Sequence, residues 1–395
     1  MSRLTRASLL GATITSGAAA LLGIAWMSGL LPTLYDGANT ALLARFAGSD
    51  VVTAVHTVAA LAGVATGIAA LAGALGARGR VGAAALQLLV FGLVLQSSGT
   101  LSTVGYLVAM AMPAAVVVLL VQVVRRYRVA RWAVGVPLLA GLAVGGFLGR
   151  EALAGIAVML GRGLAEQRAA LFTALLFIAV GSLWAVVGVR ALAGTSAMER
   201  ATAWVVRHRR AITIVAATGP LPYALVRLTW LTPWPQLGEG LDLSTRIWGL
   251  TLSSGAWLGV FLTLGLIRPW GEVFPRWMPG LAGRRVPIAA AAVPGGLIAA
   301  TVTFTAVPML IMFGEQSLAQ GLWGAIIFPC WYWGPALALA VWGYVAHRVE
   351  ADRLDADRLD ADRVEADRAE AGNVEAGRTP GLEPGAAARD RAAAV

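Results

Sequence analysis

The residues best suited to chemistry lie in one apolar stretch, GPLPYALVRLTW, which runs from Gly219 to Trp230. It carries a guanidinium, Arg227, and two prolines within a run long enough to cross a membrane. An arginine at the centre of a membrane helix costs about 2.5–3.5 kcal/mol, so such residues face a bundle interior or extend to the interface. Arg227 is therefore either an anion-binding residue inside a bundle or a side chain that reaches the membrane surface.

The two prolines predict a local break in this helix. Because Pro220 and Pro222 have no amide hydrogen, the carbonyls of Ala216 and Thr218 would lack their helical donors. Interrupted helices of this kind often line the binding sites of transporters. The sequence therefore predicts a helix break formed by Gly219, Pro220 and Pro222.

Other residues predicted at the outer face complete a candidate binding site. Glu239 and Asp242 follow this helix in the chain and could pair with Arg227. His56 lies in the outer third of its own predicted span. We predict an outward-facing substrate site formed by Arg227, Tyr223, Trp230, His56 and Glu239.

No catalytic or metal-binding motif accompanies these residues. The chain has no HExxH zinc motif, no GxxxxGK[ST] phosphate loop and no GxSxG nucleophile motif. Nine acidic residues lie outside the C-terminal tail, and none falls within a predicted span. The single cysteine, Cys330, excludes an internal disulfide and a multi-cysteine metal site. We therefore expect no catalytic residue, no metal and no cofactor.

Composition indicates a membrane protein. Of the 395 residues, 58% are hydrophobic and only 13% are charged, with a mean hydropathy of +0.73; a soluble domain has about 25% charged residues. The apolar runs are continuous rather than alternating, which favours helices. We predict an all-α polytopic transmembrane bundle over residues 1–347. Its ten predicted spans are 8–31, 51–76, 81–97, 102–124, 132–149, 169–189, 211–231, 247–267, 288–313 and 322–346.

The distribution of arginine predicts the orientation of these spans. With the N-terminus inside, seventeen arginines fall in inner segments and five in outer loops. This positive-inside bias predicts cytoplasmic N- and C-termini in the plasma membrane. Because the arginines are spread between apolar spans, the net charge of +10 does not indicate a nucleic-acid-binding protein. The expected partners are the lipid bilayer and its anionic headgroups, at the arginine-rich inner loops.

Three connecting segments have distinctive compositions. The outer loops 32–50 and 150–168 combine apolar residues with terminal charges, which predicts short segments packed at the membrane surface. The inner loop 268–287 has four prolines, two tryptophans and four arginines. It is either a loop anchored on anionic headgroups or a docking surface for a protein partner. In the last span, the aromatic cluster Phe328–Pro335 serves either helix packing or a pocket wall.

The chain changes character after His347. Residues 349–378 repeat with a period of five, as in VEADR and LDADR. A five-residue step rotates each apolar position by about 140° on a helix, so no coiled-coil stripe forms. Opposite charges three and four residues apart favour a solvated helix. We predict that 348–395 is a charged cytoplasmic tail, disordered from residue 379.

The second half of the chain carries a resemblance. GLIRPWGEVFPRWMPGLAGRRVP, followed by an apolar span and then by LWGAIIFPCWYWGPALALAVWGYVAHR, resembles a group of uncharacterised polytopic membrane proteins of actinobacteria. LPYALVRLTWLTPWP fits the same group. The resemblance covers about residues 211–347, implies about ten spans, and assigns neither an activity nor functional residues.

Three functions are compatible with these features. The helix break and Arg227 favour a transporter- or permease-like bundle for a small solute, for which an anion would suit the arginine. The alternative is a membrane scaffold without a substrate, which binds partners through 268–287 and the tail. An outer-face enzyme acting on a lipid-linked substrate is disfavoured, because its only outer acid–base candidates are Glu151, Glu239, Asp242 and His56.

Overall fold

The computed structural model describes residues 3–35, 41–100, 150–236, 238, 240–276, 278 and 281–376. Two compact units divide the chain, Met1–Val345 and Ala346–Val395. The helices are α1 Arg3–Met27, α2 Ser49–Leu71, α3 Ala77–Leu89, α4 Arg150–Leu192, α5 Ser196–Arg207, α6 Arg209–Thr218, α7 Leu221–Leu228, α8 Leu243–Gly265, α9 Ile288–Gly314, α10 Leu318–Ile327 and α11 Cys330–Ala376.

The described residues form an all-α fold, as predicted. Their only β pairing is a single bridge between Val273 and Arg285. In this part of the chain, seven helical segments are long and apolar enough to cross a membrane. The predicted spans 102–124 and 132–149 lie outside the described residues, so the total of ten spans stays a prediction.

Small residues allow α1 and α2 to pack closely. Gly63 and Gly67 form a GxxxG pair on α2, and a Cβ at Gly63 would lie 2.6 Å from the Ser16 hydroxyl oxygen. A Cβ at Gly67 would likewise meet Thr13. Small residues at such spacing let membrane helices approach until their backbones nearly touch. Helices α1 and α2 are therefore tightly packed, and among the described residues of the N-terminal half His56 and Trp184 are fully buried.

A phenylalanine of α9 joins the two halves of the bundle. The last residues of α3 continue as a π-helical turn, Val90–Val94. A Cβ at Gly92, in this turn, would lie 2.9 Å from the Phe304 ring, and one at Gly181 on α4 would lie 2.8 Å from it. The ring therefore occupies space that two glycines leave open.

One of the two predicted outer segments differs from the prediction. Residues 150–168 are not a separate surface segment, because α4 runs unbroken for 43 residues, about 64 Å. This stretch has no proline and is rich in Ala, Leu, Glu, Gln and Arg, which are strong helix formers. In the 32–50 loop a short 3-10 helix, Leu42–Arg45, follows the buried residues Tyr35 and Ala41. That loop is partly embedded in the protein.

The tenth predicted span, 322–346, is two helices and not one. Phe328 has φ −117° and ψ 73°, between the end of α10 and the start of α11. Proline disfavours the helical conformation of the residue before it, so Pro329 accounts for the interruption. Cys330, the first residue of α11, is 1% exposed, as expected for a small buried residue.

The inner loop 268–287 is folded on itself. The Phe274 amide donates to the Arg284 carbonyl at 3.0 Å, and the Gly283 amide donates to the Phe274 carbonyl at 3.0 Å. The Val286 amide closes the base of the loop by donating to the Glu272 carbonyl at 2.8 Å. Gly283 has φ 75°, a conformation that favours glycine. These bonds give the loop a defined shape.

The repeat region is helical over the described residues. Helix α11 continues to Ala376, and the side chains from 352 to 365 are mostly exposed. Asp360 and Arg363 form an ion pair of 3.5 Å at the i,i+3 spacing. The solvated helix predicted here is thus present. The predicted disordered end lies outside the described residues.

Candidate functional site

A large cavity lies between the helices of the second half. Its volume is about 1140 Å³, and its lining comes from α7 to α11, the loop 268–287, Gly219 and Pro220 between α6 and α7, and Ser98 and Gly99 after α3. On α9 the lining extends from Ala290 to Met312, about 33 Å along the helix axis. This matches the roughly 30 Å hydrocarbon thickness of a bilayer. The cavity therefore extends from an Arg227 end to a Trp270 end over the length of a membrane span.

Arg227 is the one charged side chain among the described residues that line this cavity. Its guanidinium carbon lies 5.1 Å from the Tyr223 ring centroid and 3.8 Å from the Trp230 ring centroid. These residues are four before and three after Arg227, so they share its helix face. No carboxylate of the described residues forms an ion pair with Arg227. The guanidinium thus faces the bundle interior with aromatic neighbours and without a charged partner among those residues.

A buried tryptophan and a glycine position this guanidinium. Trp230 is 6% exposed, and its indole N–H donates to the Gln236 carbonyl at 2.8 Å. The Gln236 amide donates to the Thr229 hydroxyl at 2.9 Å, which closes the turn after α7. A Cβ at Gly249 of α8 would overlap the Trp230 ring and lie 2.9 Å from Nη1 of Arg227. Sequence reasoning missed Gly249, whose only signal is a glycine within a helical pattern.

The helix is interrupted where the prolines lie, but its backbone stays helical. Gly219 (φ −54°, ψ −50°) and Pro220 (φ −79°, ψ −9°) separate α6, which ends at Thr218, from α7. Pro222 lies in the first turn of α7, where a missing amide hydrogen costs little. The Ala216 carbonyl accepts from the Gly219 amide at 3.2 Å. The prediction that this carbonyl lacks a donor is therefore wrong, because the helix tightens to an i,i+3 bond at its end.

The two interrupted helices meet at the cavity. A Cβ at Gly219 would overlap the Trp333 indole of α11, so the glycine lets this ring approach. Tyr223 packs against Phe328, with ring centroids 5.2 Å apart. Trp333 and Phe328 both line the cavity, whereas Trp331 is 54% exposed. The aromatic cluster at the last break thus supplies both a pocket wall and helix packing.

His56 lies in a different environment. Its Nε2 donates to the Ala19 carbonyl at 2.7 Å, which leaves Nδ1 to accept from the Tyr35 hydroxyl at 3.0 Å. Burial raises the pKa of Tyr35, so this hydroxyl stays protonated and can donate. His56 is fully buried, and its ring packs against Trp26, Phe91 and Phe177. It is not among the residues that line the cavity.

The structure thus brings together three of the five predicted site residues, Arg227, Tyr223 and Trp230, and places His56 elsewhere. Glu239 lies outside the described residues. The described lining contains no carboxylate, histidine or cysteine. Within the described ranges, no three His, Cys, Asp or Glu side chains lie close enough to hold a metal. The arrangement is suited to binding an anion.

Comparison of the chain with protein-family models, with curated proteins and with solved structures finds no match. Assignment of the site therefore rests on its geometry and its charge.

Proposed function

We propose that this polytopic membrane protein is a transporter- or permease-like bundle that binds a small anionic solute at Arg227. One observation carries the proposal: the only charged side chain in the described lining faces a cavity as long as the membrane is thick. The proposed form has about ten spans, both termini in the cytoplasm and a location in the plasma membrane. We also propose that the protein is related to the group of uncharacterised actinobacterial membrane proteins that residues 211–347 resemble.

Electrostatics supports an anionic ligand. Two unit charges 4 Å apart attract by about 1 kcal/mol in water and about 4 kcal/mol at the effective dielectric near a protein surface. Tyr223 and Trp230 contact Arg227 through their rings. Rings of this kind interact with the face of a guanidinium, whereas its N–H groups point outward in the plane and suit a carboxylate or phosphate. An anion in the cavity would compensate the charge of Arg227.

The interrupted helices support a transport role. In secondary transporters, discontinuous helices commonly form the substrate site near the bilayer midplane. Here the break between α6 and α7 lies beside the break between α10 and α11, and residues at both breaks line the cavity. Helix α10 has 10 residues, about 15 Å or half a bilayer. Such short helices can shift relative to each other with less loss of backbone hydrogen bonding than one continuous helix.

Two contacts agree with the proposed threading. Arg45 and Glu315 form an ion pair, and the charge pattern places both on the outer side. The Tyr344 hydroxyl donates to the Gly271 carbonyl at 2.9 Å, and both residues are assigned to the inner side. Eight predicted spans lie between Arg45 and Glu315, and only an even number of spans puts both residues on the same side of the membrane.

The threading can be tested by cysteine labelling in intact cells. In a Cys330→Ser background, Glu315→Cys should react with a membrane-impermeant maleimide, and Arg284→Cys should react only after lysis. Both side chains are exposed, so accessibility reports the side of the membrane. The reverse pattern would invert the orientation.

Anion binding can be tested by unfolding the purified protein in mild detergent with acetate, phosphate or sulfate. A ligand of the folded state at one hundred times its Kd stabilises by about 2.7 kcal/mol. We expect stabilisation by at least one anion in wild type and none in Arg227→Gln. Arg168→Gln is the matched control, because Arg168 is exposed and does not line the cavity. Equal responses of wild type and Arg227→Gln would overturn the proposal.

The folded inner loop favours a second candidate, the membrane scaffold. Arg268, Arg276 and Arg284 are exposed on this loop and suit anionic headgroups or an acidic partner. For a scaffold, changing these three arginines to glutamine would abolish function in cells, whereas Arg227→Gln would have no effect. For a transporter, Arg227→Gln would abolish function in cells, and the three loop substitutions would have the smaller effect.

A further inference from the structure

Most of the cavity is apolar and lies away from Arg227. Its lining beyond the guanidinium includes Leu266, Ile298, Val302 and Leu337. The Thr301 hydroxyl, which also belongs to the lining, donates to the Leu297 carbonyl at 2.9 Å within its own helix. The Trp333 indole N–H has no hydrogen-bond partner among the described residues, but polar groups of this kind are few in the described lining, so a hydrophilic solute that filled the space would replace few of its hydrogen bonds to water. A ligand that fills the cavity must therefore be largely hydrocarbon.

The dimensions require a long ligand. The volume of about 1140 Å³ exceeds the roughly 300–1,000 Å³ of ordinary ligand pockets. The end opposite Arg227 is lined by Trp270, which stacks on Phe261 with ring centroids 4.5 Å apart and an interplanar angle of 11°. Phe274 and Met278 of the inner loop complete this end. Arg227 and the stacked rings of Trp270 and Phe261 therefore lie at opposite ends of an elongated apolar cavity.

Two side chains of α8 that line the cavity are more than half exposed. Phe261 and Leu262 belong to the lining, yet they are 56% and 54% exposed. Helix α8 contains the predicted span 247–267, so its exposed apolar side chains would face lipid acyl chains. A ligand can then enter from the bilayer without passing its hydrocarbon part through water.

We propose that the ligand is an amphiphile from the bilayer, with one anionic head group at Arg227 and a long hydrocarbon chain directed toward Trp270. A long-chain carboxylate is the simplest member of this class. This inference rests on the proposed function above, because it assigns a ligand class to the same site. It adds that the apolar length of the cavity, and not Arg227 alone, determines selectivity.

Gly259 provides a way to test the chain-binding part separately. It lies on α8 and lines the cavity, and a Cβ built there meets nothing within 4 Å. It is about 15 Å along the helix from Gly249, which neighbours Arg227. Gly259→Phe should therefore obstruct the region of the chain while leaving the head-group region intact. Gly259→Ala is the matched control, because one methyl group leaves most of the space open.

The experiment uses the full chain in lipid nanodiscs and an eighteen-carbon carboxylate with a photoreactive diazirine at its chain end. Gly249 beside Arg227 and Gly265 beside Trp270 are separated by about 24 Å along α8, which a chain of this length can approach. After irradiation, peptide mass spectrometry locates the label. We expect labelling near Trp270, Phe274 and Met278.

Labelling should fall at least tenfold in Arg227→Gln, because a charge-assisted hydrogen bond to the head group is lost. It should fall by a similar factor in Gly259→Phe, because the phenyl ring occupies the space for the hydrocarbon chain. It should be unchanged in Arg168→Gln and Gly259→Ala, and all variants should melt like wild type.

Competition separates the inference from the proposed function. Unlabelled dodecanoate should compete at least tenfold better than dodecanol in wild type and equally well in Arg227→Gln, because only the carboxylate uses the arginine. If acetate protects wild type in an Arg227-dependent way but Gly259→Phe does not affect labelling, the amphiphile is wrong and the anion site stands. If dodecanol competes as well as dodecanoate in wild type and Arg227→Gln changes nothing, both proposals fail.

Discussion

Gly249 leaves the space that the Trp230 indole occupies beside Arg227. In Gly249→Ala, the new methyl group would overlap the indole and lie 2.9 Å from both Cε3 of Trp230 and Nη1 of Arg227. Gly249 is buried, and its Cα is fixed within the 23 residues of α8. The indole must therefore move, and its bond to the Gln236 carbonyl and its contact with the guanidinium are both weakened.

The magnitude follows from these contacts. The cation–π contact is worth about 0.5–2 kcal/mol and the indole hydrogen bond about 1 kcal/mol. Alanine recovers about 1 kcal/mol over glycine within a helix. Overpacking of a filled site typically costs about 1–3 kcal/mol. We expect Gly249→Ala to lower the free energy of unfolding by about 1–3 kcal/mol and to weaken anion binding at Arg227 about tenfold.

A double-mutant cycle isolates this effect. Reversible unfolding in mixed SDS micelles is measured for wild type, Gly249→Ala, Trp230→Ala and the double variant. Without the indole, Gly249→Ala should be neutral or stabilising, which gives a coupling energy of about 1–3 kcal/mol. Gly259→Ala on the same helix is the control, because its Cβ meets no atom within 4 Å. That substitution should be neutral or stabilising in every background.

Two results would refute the reasoning. In the first, Gly249→Ala unfolds like Gly259→Ala in the wild-type background, so the methyl group meets nothing. In the second, the cost of Gly249→Ala is unchanged when Trp230 is alanine, so the indole is not its cause. Either result would mean that Trp230 and α8 do not approach at Gly249. The placement of Arg227 beside Gly249 would then also be wrong.

Three further predictions address the rest of the chain. Tyr35→Phe removes the donor to Nδ1 of His56 and should cost about 1–3 kcal/mol of unfolding free energy, measured in SDS, without changing anion binding at the cavity. Arg45→Ala and Glu315→Ala should show a coupling of at most about 1 kcal/mol that declines in high salt; a larger, salt-independent coupling would contradict an exposed pair. Deletion of residues 349–395 should leave the melting temperature and anion binding unchanged, because the described side chains of this segment are mostly solvent-exposed, and a loss of either would assign the tail a role.

Local features were predictable because their causes are local. Continuous apolar runs predict membrane helices, and the missing amide hydrogens of Pro220 and Pro222 predict the break after Thr218. The same argument applied to Pro329 would have predicted the second break, which the continuous apolar character of 322–346 concealed. The unbroken length of α4 is not apparent from the sequence for a related reason: the charges of 150–168 suggest the end of a span, although the segment contains no proline to end a helix.

Neighbours across the bundle were not predictable in this way. The predicted depth of His56 in the membrane suggests that it lies near Arg227, but depth does not specify which helices touch. Trp230 and Tyr223 were predictable as neighbours, since they lie within one turn of Arg227 on the same helix face. Gly249 and Trp333 were not, because their contacts join separate helices.

The amino-acid sequence by itself determined that the chain is a helical membrane protein, where one helix is interrupted, and which residue brings a charge into an apolar helix. Those properties follow from hydropathy, backbone chemistry and charge, each of which acts within a few residues. Only the tertiary structure decided that Arg227 faces a cavity, that two interrupted helices meet there, and that His56 belongs to another core. Apolar helices of similar composition pack by the shapes of small and aromatic side chains, and those shapes are matched only when the helices are placed side by side.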